Sequence, residues 1–238
     1  MEYFTNRNGL QLACNLSIKY PDDKKIYIVC ALYPSEIFFF SDFVYQHLDA
    51  NVCKLDLTGE GRSQGERVFY KYTKDADDLD DTVKFLTSKG YSVDGIIGAS
   101  KYGTSVILYA GLYGEVKNII SVSPKFNMSE FPDFLSSNFE TLKNNGEIVY
   151  NAFGEDWNFT WEMIREVQSI DMKKICERAR GNIYVIYGLE DQFCPYLECL
   201  ELAWELNDKC KGTYSFDCDH CLIGILDEVL EIIERVIS

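Results

Sequence analysis

The 238-residue chain contains only two histidines, and one of them, His220 in FDCDHCLIG, sits just past an apolar run. A histidine works as a general base when a hydroxyl lies within hydrogen-bond reach and a carboxylate orients its other ring nitrogen. The hydroxyl is Ser100, in GIIGASKYGTSVILYA. Residues 94–97 read there as a short buried strand, and Val106, Ile107, Ala110 and Gly111 recur at helical spacing, so the serine falls at the hinge between strand and helix. Such an elbow holds its serine in a strained backbone conformation, costing roughly 1–3 kcal/mol, and projects the hydroxyl clear of the sheet. Gly98 and Gly103 are the small neighbours on offer, while Tyr102 stands where a GxSxG pattern has glycine. The carboxylate is Asp191, in IYVIYGLEDQFCP, which follows another apolar run and precedes Pro195. Ser100, Asp191 and His220 thus offer a nucleophile, an orienting acid and a base for acyl transfer. The second histidine, His47 in VYQHLD, falls near the end of a predicted helix and reads as a capping or solvated residue. An oxyanion formed at the acyl carbon needs two backbone donors, expected from Lys101, the residue after the nucleophile, and from Tyr33 in the loop after the first central strand.

These residues need a scaffold that brings strand ends to one rim. Continuous apolar runs at 26–31, 52–57, 94–97, 116–122, 183–187 and 212–216 read as strands buried on both faces. Helical patterns at 39–48, 72–88, 101–113, 197–206 and 226–237 alternate with them, as a parallel doubly wound sheet requires. Residues 3–5 and 10–19 flank an Asn/Gly-rich turn at 6–9 and predict an antiparallel hairpin at the sheet edge. From 126 to 180 the alternation stops: no strand is evident, aromatics are dense, and the stretch is too long for a plain connection. It is expected to be a small helical insertion over the sheet, forming a lid or one wall of a pocket at the strand ends.

Composition narrows the partners. With 38 acidic against 23 basic residues the formal charge is −15, which disfavours nucleic acid and anionic membranes and suits a neutral or cationic partner. The acidic run at 75–81 reads as a solvated helix face. A hydrophobic share of 47% and five prolines indicate one packed domain over residues 1–238, with no internal repeat. No stretch reaches membrane-spanning length, no secretory leader is recognised, and nine cysteines, an odd number without a CxxC pair, fit free thiols in the cytoplasm. Neither a metal nor a cofactor is expected, since no ligand set is clustered in the sequence and the nucleophile is internal.

The same motifs carry a family likeness. DLTGEGRSQGE at 56–66 is similar to the DxxGxGxSxG loop of many α/β-hydrolases, and GASKYGTSVILYAG resembles the GHSKGGxxxLxYA elbow of feruloyl-esterase-like serine hydrolases. SVSPKFNM at 121–128 resembles their V(S/N)xSGRFDM segment, YGLEDQFCPY their HGxxDxxxP acid loop, and DCDHC their GxDHC histidine loop. The resemblance spans nearly the whole chain and implies an α/β-hydrolase fold: a mostly parallel sheet with helices on both faces, an N-terminal antiparallel hairpin and a small helical lid insertion. It also implies a Ser-His-Asp hydrolase of carboxylic esters, with Ser100, His220 and Asp191 in those roles and a small-molecule ester as substrate. The aromatic insertion suggests an apolar or aromatic acyl group. A thioesterase, lipase or peptidase using the same triad, and a non-catalytic binding protein of the same fold, stand as alternatives. The chain departs from the family at its HGF oxyanion motif, which here reads Ala31, Leu32, Tyr33, and at Ala99 and Tyr102.

Overall fold

All six apolar runs enter one sheet, and the turn at 6–9 adds a hairpin to its edge. The computed structural model describes residues 1–31, 39–152 and 155–238. The chain opens with β1 (Glu2–Thr5) and β2 (Gln11–Ser17), then β3 (Lys25–Cys30), α1 (Phe40–His47), β4 (Val52–Asp56), α2 (Tyr72–Ser88), β5 (Ser92–Ala99), α3 (Lys101–Leu112) and β6 (Asn118–Val122). The insertion carries α4 (Asp133–Ser136), α5 (Phe139–Asn145), β7 (Glu147–Ala152), β8 (Glu155–Thr160), α6 (Trp161–Ser169) and α7 (Met172–Arg178). Last come β9 (Asn182–Gly188), α8 (Tyr196–Leu206), β10 (Cys210–Phe216) and α9 (Leu226–Ile237). Among the described residues the main sheet has the order β1-β2-β4-β3-β5-β6-β9-β10. The pairs β1/β2 and β2/β4 are antiparallel, and the strands from β4 to β10 run parallel.

The central strands are mostly apolar along both faces because they serve two cores. In β3, Ile26, Ile28 and Cys30 join one core, while Tyr27 and Val29 join the other. That is the two-residue alternation of a strand with both faces covered. Leu79 of α2, Val106 of α3, Ile175 of α7 and Leu202 of α8 close the first core, and Val44 of α1 with Val229 and Ile233 of α9 close the second. Each such aliphatic side chain contributes about 1.5–3 kcal/mol on full burial.

Three expectations are corrected. The run at 212–216 is not buried on both faces: among the described residues β10 pairs only with β9, and its residues alternate between half-buried and exposed, as an edge strand's do. The insertion is not purely helical, because β7 and β8 form an antiparallel hairpin whose Trp157 and Phe159 point inward and are buried. The acidic run of α2 is not a solvated face, since Asp75, Asp78 and Asp80 are all buried. Asp78 accepts from the Asn6 side chain at 2.8 Å and from the Thr58 backbone at 2.9 Å, which pins the N-terminal turn onto α2. Asp80 is paired with Arg7 and, at 2.6 Å, with Lys84. Among the described residues no helix is long and apolar enough to cross a membrane.

Candidate active site

Ser100 stands between β5 and α3 with φ 55° and ψ −122°, a left-handed conformation that costs a non-glycine residue on the order of 1–3 kcal/mol. Two contacts hold it there: its N–H donates to the Val122 carbonyl of β6 at 2.8 Å, and its carbonyl accepts from Thr104 at 3.2 Å. The flanking glycines explain the unusual spacing. A Cβ at Gly98 would stand 2.3 Å from the Tyr102 carbonyl oxygen, and one at Gly103 would stand 2.5 Å from the Val122 oxygen. The close approach of helix to sheet is therefore made at Gly103, and position 102 is free to carry a side chain, which turns into the core and is 1% exposed.

Asp191 and His220 reach the serine from the two strands beyond β6. The loops after β9 and β10 are laced together by the Leu189 N–H on the Phe216 carbonyl at 2.8 Å and the Glu190 N–H on the Cys218 carbonyl at 3.0 Å. Gly188 makes this possible, because a Cβ there would lie 2.4 Å from the Cys218 oxygen. His220 Nδ1 donates to Asp191 Oδ2 at 2.7 Å, and His220 Nε2 accepts from the Ser100 hydroxyl at 2.7 Å. A carboxylate only accepts, so it fixes the proton on Nδ1 and leaves Nε2 with its lone pair toward the serine. The other carboxylate oxygen, Oδ1, accepts from the Phe193 and Cys194 backbones at 2.9 and 2.8 Å, so Asp191 is held from both sides.

Lys101 opens α3, and its N–H is one of the first-turn donors with no acceptor inside the helix. Its side chain turns inward: Nζ lies 3.1 Å from the Val68 carbonyl and 3.5 Å from Asp75 Oδ2. Burial pushes the Asp75 carboxyl up to about 6, opposed by Lys101 and by the Ser105 hydroxyl, which donates to it at 3.1 Å. Burial likewise raises Glu60, which is paired with Arg67 at 3.0 Å. Tyr33, the other expected oxyanion donor, lies outside the described residues. His47 is remote from these groups in the fold: exposed at the end of α1, it has Nδ1 2.9 Å from the Phe43 carbonyl and its ring stacked on Phe43.

Above Ser100 and His220 lies a cavity of about 130 Å³. Phe69, Tyr70 and Tyr72 supply one wall, Pro132 and Trp157 of the insertion another, and Phe193 and Cys194 border the acid loop. Sequence reasoning foresaw the insertion as a wall but missed the run at 69–72. Its signal is three aromatics between the glycine-rich loop and α2. Asp191, Cys194 and His220 each place one ligand atom within 4.8 Å of the others, a cluster that the sequence did not suggest. Burial and the Asp191 charge push the Cys194 thiol up, away from the thiolate a metal would need, and the Asp191 and His220 atoms are engaged with each other and with Ser100.

No protein-family model and no curated protein sequence matches the chain. Solved structures do. Est1E from Butyrivibrio proteoclasticus, with ferulic acid bound, superposes with a TM-score of 0.77 at 18% identity, over 99% of this chain and 97% of that one. The Pyrococcus furiosus esterase Pf2001 gives 0.70 at 16% identity over 100% and 92%. An alpha-beta serine hydrolase homologue from Coxiella burnetii gives 0.65 at 14% over 100% and 96%. The chain has the α/β-hydrolase fold. In this fold the ends of β5, β9 and β10 meet at one rim, which is where Ser100, Asp191 and His220 stand.

Proposed function

We propose that the chain hydrolyses carboxylic esters through an acyl-enzyme on Ser100. One observation carries the reading. Ser100, His220 and Asp191 form an unbroken hydrogen-bonded line, 2.7 Å at each imidazole nitrogen, at the base of a largely apolar cavity. As Ser100 Oγ attacks the acyl carbon its proton passes to Nε2, and Asp191 stabilises the imidazolium so formed. The charge on the carbonyl oxygen is met by the N–H of Lys101. His220 then gives its proton to the departing alkoxide. A water molecule, deprotonated by the same nitrogen, attacks the acyl-enzyme and releases the carboxylic acid.

The acyl group is apolar or aromatic and compact. In support, six of the lining residues, Phe69, Tyr70, Tyr72, Tyr102, Trp157 and Phe193, are aromatic. The cavity is also close in volume to the roughly 150 Å³ apolar voids that accept a benzene ring. The structural neighbour with ferulic acid bound points the same way. All nine cysteines are free thiols, which supports a reducing, cytoplasmic location. The test is labelling by a fluorophosphonate probe: folded wild type is expected to react and Ser100→Ala is not, and a folded wild type that stays unlabelled removes the proposal. A panel of p-nitrophenyl esters without any preference for acyl size or aromaticity removes the substrate assignment alone.

A further inference from the structure

Helix α8 is apolar on two opposite sides, and only one of them is used. Cys199, Leu202 and Leu206 face the core and are fully buried. On the other side Leu197, Leu200 and Trp204 recur at helical spacing and are 63%, 41% and 82% exposed. The strip continues past the start of the helix to Phe193, 63% exposed, whose ring lies 5.3 Å from that of His220 and which lines the cavity above Ser100. Ile223, in the His220 loop, is 70% exposed. Leaving these large apolar side chains in water is costly, and apolar helix faces left exposed in this way mark interaction sites.

Two observations select what covers it. The strip leads directly to the mouth of the cavity, so a protein seated across it and Phe193, a second copy included, would stand in the substrate's path. Glu201 is exposed beside the strip, Glu198 and Glu205 being paired with Lys125 and Lys173, and the chain carries a net charge of −15, which repels a second copy and an anionic bilayer. A surface that is uncharged and itself delivers the substrate meets both conditions.

We propose that this face of α8 docks on a zwitterionic or uncharged lipid–water interface, from which an ester with a compact apolar acyl group enters the cavity past Phe193. The helix would lie in the interface plane with Trp204 and the leucines immersed, as amphipathic surface helices do. The substrate part of this proposal rests on the hydrolase reading, whereas the docking does not.

Flotation with phosphatidylcholine vesicles tests the docking, using Ser100→Ala so that no turnover intervenes. That protein is expected to float, and adding Leu197→Gln, Leu200→Gln and Trp204→Gln should weaken partitioning by about 100-fold or more, since immersing the exposed part of each side chain is worth roughly fivefold or more. Replacing part of the lipid with phosphatidylglycerol should weaken it too, and salt should restore it. With Ser100 present, the triple variant should cleave a dissolved short-chain ester at the wild-type rate while losing activity on an emulsified one. Trp204→Gln alone gives a milder version of the same comparison. The proposal is overturned if the Ser100→Ala protein does not float, if the triple variant floats equally well, or if wild type sediments as a dimer that the triple variant dissolves. Folded wild type that floats but is not labelled by fluorophosphonate leaves the docking standing and sinks the hydrolase reading.

Discussion

Restoring the family's glycine at position 102 is expected to harm this protein. In the GxSxG pattern a glycine follows the nucleophile by two residues, so Tyr102→Gly is the change a sequence comparison recommends. The structure argues the reverse, because the glycine that meets β6 here is Gly103, whose Cβ would fall 2.5 Å from the Val122 oxygen. The Tyr102 ring is 1% exposed and belongs to the main core, with Lys101 Nζ 4.9 Å from its centroid. Removing a buried aromatic ring costs about 3–5 kcal/mol, and glycine inside a helix adds about 1 kcal/mol relative to alanine. The sum, about 4–6 kcal/mol, is comparable with the whole stability of an ordinary domain, about 5–15 kcal/mol. Urea unfolding followed by circular dichroism measures it directly. Tyr102→Phe keeps the ring and the lysine contact and removes only the hydroxyl, so its cost should stay within about 1–2 kcal/mol. Tyr102→Gly as stable as wild type to within 1 kcal/mol, or more reactive toward fluorophosphonate, would refute the assignment of the close approach to Gly103.

Three other outcomes follow from the same geometry. Asp191→Asn leaves the loop in place but lets Nδ1 lose its fixed proton, and kcat should fall on the order of 10⁴-fold with KM little changed, as read by steady-state hydrolysis of a p-nitrophenyl ester. Trp157→Leu should lower kcat/KM for aromatic acyl esters about tenfold and leave the acetate ester unaffected, since Trp157 lines the cavity and a pocket contact of this kind is worth roughly 1–3 kcal/mol. Burial raises the Asp75 carboxyl to about 6, against about 3.9 in the unfolded chain. Between these values the folded state binds more protons than the unfolded one, so this group's stability contribution is present in acid and is lost as pH rises through about 6. Urea unfolding at pH 4 and pH 7 should show wild type losing about 2–3 kcal/mol more than Asp75→Asn over that interval, and equal losses would discount the buried carboxyl.

Much of the fold was legible because the central strands carry apolar residues on both faces and the helices between them keep a clean period. Two sheet neighbours force that pattern on a strand, which is also why β10 misled: Gly212, Tyr214 and Phe216 suggest a buried strand, yet with only β9 beside it the residues stay half-covered. The β7–β8 hairpin was missed for a related reason. Trp157 and Phe159 alternate with polar residues as a one-sided strand's do, but they read as part of an aromatic helical stretch because the surface that buries them, Phe69 and Tyr70 of the glycine-rich loop's far end, is distant in sequence. Ser100, Asp191 and His220 were readable since each lies just past a strand, and strand ends share a rim. Tyr33 lies outside the described residues and stands as an expectation.

The buried acids of α2 show where sequence reasoning stops. A run of aspartates looks solvated until its partners are known, and these come from distant segments: Asn6 and Arg7 from the N-terminal turn, Lys101 and Ser105 from the helix behind the nucleophile. The pairing with Lys101 bears on the candidate chemistry. With its ammonium turned down to Asp75 and the Val68 carbonyl, Lys101 offers the reacting carbonyl only its backbone N–H, and its charge is compensated within the protein. Lys125, which also lines the cavity, is paired with Glu198 at 3.7 Å, so the lining lysines give no strong attraction to a charged acyl group, while the aromatic walls reward an apolar one. The charge run that seemed to concern only solvent thus helps to set the electrostatics of the cavity at Ser100.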